Sequence, residues 1–266
     1  MKMSNNTKHQ PENTPPKHVL DLECGSTPAD WHRHSNGGGW VYRTARVADT
    51  AYVGPNAVVF GNAKVYMSAA IYGSARVGGN AVVYGHAKIY GHAKIYGHAW
   101  ICDRAVVRDN AEINGGASVY GNAEVCDRAY VYGSAVVFGN AKIFGNARVS
   151  DHAVVSDNAG VYDNAGVYDH AKVFDHAKVF DSVVVRDCAW IFNRAEVYGH
   201  AEVYGHARVF GNAAVYENAK VYGGAVVCGN AKVFGNAGVG DDAKISGDAR
   251  VCGYDRIYCN TGVVVE

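Results

Sequence analysis

Apolar and polar positions along this chain repeat with a strict period of six. Stepping by six from Ala45 meets alanine at Ala51, Ala57, Ala63 and onward to Ala249; of the 35 positions so reached, Val183 is the departure. Two residues after each stands Val or Ile without exception, from Val47 through Ile245 to Val251. No insertion or deletion shifts the phase. The alanine is numbered as the first position of a hexad and the aliphatic residue as the third.

Residues two apart point to the same face of a strand, so the first and third positions share one face and the second and fourth point away from it. The fifth and sixth positions are turn formers: Gly-Asn, Gly-His, Asp-Asn and Asp-His recur. Gly, Asn and Asp tolerate positive φ and make tight corners. Each hexad is therefore expected to be a short strand plus a corner. Alanine fits where the wall bends, and the stiff, strand-favouring Val or Ile fills the middle. A helix is a poor alternative, because a period of six does not match 3.6 and a Gly in most hexads would cost about 1 kcal/mol each.

A fixed period of six with this small/aliphatic rule is a β-solenoid pattern. The unit Val221-Tyr222-Gly223-Gly224-Ala225-Val226 resembles those of the hexapeptide-repeat superfamily. That resemblance implies an all-β, single-stranded left-handed parallel β-helix with three hexads per 18-residue coil. On that geometry the repeat makes between eleven and twelve coils, a rod on the order of 55 Å long at the usual strand spacing. Its two ends would expose unpaired strand edges. The segment Gly37-Gly38-Gly39-Trp40-Val41 leading into such repeats is similar to uncharacterised bacterial and phage-associated hexapeptide proteins.

Outside the repeat, residues 1–17 are polar with Pro11, Pro15 and Pro16 and are expected to be a disordered tail. Residues 18–40 mix Leu20, Leu22, Trp31 and Trp40 with polar groups and are read as an N-terminal cap. Residues 41–266 form the repeat; Val41 already stands in phase, six before Val47, and the last coil is degenerate, with Asp255 and Thr261 in alanine positions.

Composition narrows the function classes. Lys+Arg and Asp+Glu both number 25, so the chain lacks the basic surplus of a nucleic-acid binder. Seven cysteines, an odd number with no CxxC pair, argue for a reducing compartment. No apolar run approaches the roughly 18 residues of a membrane span, and the first twenty residues lack the apolar stretch of a signal peptide. A cytoplasmic protein without a membrane or nucleic-acid partner is expected.

The fourth position carries all eight Phe and most Tyr. Residues 18 apart are expected to stack, so that Tyr66 sits below Tyr84 and Phe174, Phe192 and Phe210 form a ladder. Such ladders stabilise cross-strand pairs by a few tenths to about 1 kcal/mol each. Aromatic faces of this extent also point to self-association into a homo-oligomer, a trimer being one form. The sixth position often carries His. His152, His170, Cys188 and His206 fall in one column and are the candidate metal ligands, although ligands strung along a line suit tetrahedral zinc poorly. The competing reading is that His replaces Asn at a solvated corner and no metal or cofactor is bound.

Many hexapeptide-repeat proteins are acyl-CoA-dependent acyltransferases. The resemblance implies for them a trimer, acyl-CoA in the groove between subunits, and a His base supported by a loop that leaves the coil. Here His98 and His206 would be the candidate bases. No such loop interrupts the hexads, and the five-residue His spacing of the γ-type carbonic anhydrases does not occur in the repeat. A non-enzymatic structural or interaction rod, associating through its aromatic faces or its ends, is therefore the leading expectation. The acyltransferase and a carbohydrate- or surface-binding solenoid stand as alternatives.

Overall fold

The computed structural model describes residues 14–258 and 263–265. Residues 1–13 of the expected tail lie outside the described residues. The chain then forms a short helix, α1 (Lys17–Leu20), a 3₁₀ turn (Pro28–Asp30) and a strand, β1 (Trp31–Arg33). From β2 (Trp40–Tyr42) onward it is a β-solenoid of about 12 coils with about 18 residues per coil. Short strands follow at every hexad, β3 (Arg46–Val47), β4 (Tyr52–Val53), β5 (Val58–Val59) and so on to Arg256–Ile257, all of two residues except Lys244–Gly247.

Each strand pairs in parallel with the strand 18 residues on, without a bulge or register slip. Three parallel sheets result, which we call the first, second and third faces. They begin at β2, β3 and β4 and contain, among the described residues, 14, 13 and 12 strands, the first count including β1. Hydrogen bonding repeats from coil to coil. The amide of Lys94 donates to the Ala111 carbonyl at 2.9 Å, Tyr96 to Ile113 at 2.9 Å and His98 to Gly115 at 2.6 Å. Corners as well as strands are thus paired, which satisfies backbone groups that a sharp bend would otherwise strand.

The first and third positions fill the interior. From Ala51 to Ile245 every one of them is 0% exposed, Val183 included. Val183 lies between Ala165 and Ala201 in its column. The core is one continuous apolar cluster from Val41 to Val251, without a polar side chain in it.

The fifth position sets the corners. From Gly61 to Gly253 its φ runs from 52° at Asp241 to 75° at Gly199 and Gly211. Where Asp occupies it, the short polar side chain makes this left-handed backbone tolerable. The carboxylate also accepts a hydrogen bond from the amide one coil below: Asp181 from Gly199 at 2.9 Å, Asp187 from Gly205 at 2.9 Å, Asp175 from Asn193 at 3.0 Å. Every fifth position from Asp151 to Asp187 is Asp, so this stretch is stitched at all three corners.

The N-terminal segment meets the rod in two places. Strand β1 pairs antiparallel with β2, and the chain at Asn36–Gly39 hydrogen-bonds the edge of β4 through Asn36 and Gly39 to Val53 at 3.0 and 2.9 Å. Val19 and Trp31 pack with Trp40, Val58 and Phe60 on the outer side of the first face. The Asp30 carboxylate accepts from both the amide and the hydroxyl of Thr27 at 2.8 Å, which lowers its pKa and ties the 3₁₀ turn.

Two opposite substitutions test the packing. Ala141→Leu forces extra methylenes into a filled corner and is expected to cost about 1–3 kcal/mol. Ile143→Ala leaves a cavity and is expected to cost about 2–5 kcal/mol. Denaturant unfolding of both variants checks this, and an unchanged midpoint for either contradicts the packing described.

Candidate functional site

The outward positions hold what chemistry the rod presents. On the third face Phe144, Tyr162, Phe180, Tyr198, Tyr216 and Phe234 form one ladder, with ring centroids 4.6–5.1 Å apart and planes within 7°. On the second face Phe174, Phe192 and Phe210 stack at 4.9 and 4.7 Å. These rings are half-buried, because the column consumes their faces and leaves only edges to solvent. Tyr84 differs from the expected stacking. It turns to Trp100, meeting it edge-on at 6.4 Å, and shares a hydrogen bond with the Cys102 thiol. That bond, together with desolvation, pushes the Tyr84 phenol up to about 12.

Glycine breaks the ladders where a ring must cross a coil. Gly78 sits under the Phe60 ring, and a Cβ there would run into it. Phe60 thereby reaches Tyr96, two coils away, edge-on at 5.9 Å. Gly240 lies likewise beneath Tyr222, whose hydroxyl hydrogen-bonds Tyr258 two coils on. Burial first, and that bond second, push the Tyr222 phenol up to about 12.

The expected metal column exists as a column. His152 and His170 stack with centroids 4.9 Å apart and planes within 5°, so their ring faces rather than their nitrogens meet. His170, Cys188 and His206 line an open groove of about 400 Å³ beside Trp190. There Lys172 and Arg208, from the two flanking coils, lie 4.9 and 5.3 Å from the Trp190 ring. Such cation–π contacts are worth about 0.5–1 kcal/mol at exposed sites.

His98 occupies the same corner column as His206, six coils away. Its ring lies 3.5 Å from the Asn80 amide. Among the described residues no carboxylate hydrogen-bonds either histidine, so neither has the partner that orients a general base.

A different cluster escapes the sequence pattern. Among the described residues, the metal-type side chains whose ligand atoms come within 4.8 Å of one another are Asp109, Cys126 and Asp127. Arg108 already occupies this cluster, pairing with Glu124 at 2.6 Å and with Asp109. Its hydrogen bond to Glu124 chiefly holds the guanidinium pKa up, and burial pushes the Cys126 thiol up to about 11. A protonated thiol beside an Asp109 carboxylate already paired with Arg108 makes a poor cation site. Its signal in the sequence was the 18-residue spacing from Arg108 to Cys126, visible once the coil length is known.

Charge is distributed unevenly over the faces. On the second face, the five strands from Val82–Val83 to Val154–Val155 present Val82, Trp100, Ser118, Val136 and Val154 at the second position. Their fourth positions are Tyr84, Cys102, Tyr120, Phe138 and Ser156. None of these ten side chains is charged, and Trp100 is 53% exposed. The same coils carry Lys94, Glu112 and Arg148 on the first face and Lys88, Arg108, Glu124 and Lys142 on the third.

Among the described residues no helix is long and apolar enough to cross a membrane. A family model described as the YdcK Beta solenoid repeat matches residues 141–157, a stretch just short of one coil. No curated protein matches the chain. The local match accords with the β-solenoid repeat that the coil geometry shows.

The raised phenols give a pH signature. A folded-state pKa above the unfolded value stabilises the fold below the unfolded pKa, about 10 for Tyr, and that stability is lost as pH rises through the folded value. Alkaline absorbance titration is expected to show phenols ionising near pH 12, one fewer in Tyr84→Phe. Melting temperature is expected to fall between about pH 10 and 12 less steeply in that variant than in the parent. Ionisation of all phenols near pH 10 contradicts both expectations.

Proposed function

We propose that this chain is a non-enzymatic structural rod that associates laterally with a second copy of itself through the second face. The observation that carries the reading is the unbroken coil. From Ala51 to Ile245 the first and third positions go wholly to the core, and no loop leaves the solenoid to enclose a reaction centre. Left-handed winding, as the hexapeptide resemblance implies, accompanies this reading. The six described free cysteines support a reducing, cytoplasmic setting.

The uncharged stretch from Val82 to Ser156 supports the lateral contact. In-register two-residue strands make it flat, and an exposed Trp is a strong interface anchor. Its five strands span roughly 24 Å, and two such faces with their corner rims bury on the order of 1,000 Å² in total, the lower end for a specific interface. Lys64 and Lys172 bound the stretch at either end and penalise sliding of one rod along the other. The acyltransferase alternative, through His98 or His206, and the carbohydrate-binding alternative lack an enclosing wall at those residues.

Light scattering on a sizing column tests the proposal. Mass is expected to rise to that of a dimer with concentration. Trp100→Lys and Val136→Lys are expected to remain monomeric with unchanged melting, while Val106→Lys on the third face still dimerises. A parent chain monomeric at high concentration contradicts lateral association. Transfer from acetyl-CoA that is lost in His98→Ala or His206→Ala contradicts the non-enzymatic reading.

A further inference from the structure

The N-terminal segment supplies what the coils do not, a second wall. Helix α1 lies against the outer side of the first face and, with the corner before β5, encloses a groove of about 380 Å³. Apolar groups, among them Val19 and Val58, form part of the lining. Four basic side chains line the same groove: His18, Arg33, Arg76 and His92. Among the described residues no carboxylate lines it. For a chain with zero formal net charge this is a marked local excess.

Among the described residues neither guanidinium forms an ion pair. Arg33 donates to the carbonyls of Gly38 at 2.7 Å and Pro55 at 3.0 Å and lies 3.9 Å from the Trp40 ring centroid. These contacts fix its position, and among the described residues no carboxylate pairs with it. Arg76 faces Tyr96, where its charge works against the rise that burial gives the phenol pKa. Its neighbour one coil on in the same column is Lys94, another cation, whose acidic partner Glu112 lies one coil further. Asn56 and Ser74 add neutral hydrogen-bonding groups to the lining.

We infer that this groove binds the phosphoryl group of a small soluble ligand. Guanidinium groups favour phosphate and carboxylate by charge-assisted hydrogen bonds. Donors arriving from α1, from the β1 hairpin and from two successive coils approach from several directions. That arrangement suits the three oxygens of a tetrahedral phosphoryl group better than the two of a planar carboxylate. The volume falls in the range of small-ligand sites, and the apolar lining can take the ligand's uncharged part. The inference does not depend on lateral association, since the groove lies on the first face and the uncharged stretch on the second.

Isothermal titration calorimetry of the full chain with inorganic phosphate tests it. Saturable binding at one site is expected, weakened about tenfold or more in Arg76→Gln and in His92→Gln, with acetate binding far more weakly. Arg208→Gln, on the second face far along the rod, is expected to bind as the parent does. Matched melting curves for Arg76→Gln and the parent separate lost binding from lost folding. No saturable heat with phosphate, equal affinity in Arg76→Gln, or acetate binding as tight as phosphate each overturns the inference.

Discussion

Everything in this molecule depends on one constraint: each coil must match the next residue for residue across 18 positions. From Val58 to Gly240 the amide of every second, fourth and sixth position donates to the coil beyond it, as Lys94, Tyr96 and His98 do to Ala111, Ile113 and Gly115. One inserted residue would flip the side chains of a strand to the other face and uncouple the corner bonds on both sides. The alanines are a consequence of this constraint. Two walls of the coil meet close to each first position, where from Ala51 to Ala249 Ala fills the space and the one larger residue, Val183, is buried between Ala165 and Ala201. Stability in such a rod is a sum of equal contacts between neighbouring coils and not the property of a central nucleus.

The corners are where sequence variety enters, and each choice has a local consequence. Gly at the fifth position is free of strain at positive φ, but contributes nothing to the next coil. Asp accepts some backbone strain there and returns a hydrogen bond to the coil below, as in the run from Asp151 to Asp187. Asn at the sixth position builds amide columns, such as Asn122, Asn140 and Asn158 at 3.1 Å steps. The outer surface is therefore largely self-satisfied, with ring on ring and amide on amide. This is why most of the aromatic residues are less available to partners than their number implies.

The fold was legible from the period of six and from the Ala and Val/Ile rule, because burial imposes the same demand on every hexad. The coil length came from resemblance, and the in-register pairing of strands 18 residues apart bears it out. Ladders such as Phe174, Phe192 and Phe210 could be read from that spacing. Tyr84 departs from it, since Trp100 on the adjacent coil and the Cys102 thiol offer it contacts that column logic omits. Gly78 and Gly240 read as ordinary variation in sequence, whereas in three dimensions they are gaps that rings cross. The N-terminal groove was illegible for a different reason. His18, Arg33, Arg76 and His92 are far apart in sequence, and only the docking of α1 on the first face brings them together.

The proposed lateral contact and the proposed groove site both need a surface that does not bend, which requires a stiff rod of uniform coils. His98 and His206 share one corner column six coils apart. Spin labels placed at these two positions through a bio-orthogonal residue, which spares the seven native cysteines, report the separation directly by double electron–electron resonance. A uniform stack predicts one narrow distribution centred near 29 Å, about six times the strand spacing. A broad distribution, or a centre several ångströms shorter, would mean that the coils are neither in register nor rigid, and would contradict the uniform rod.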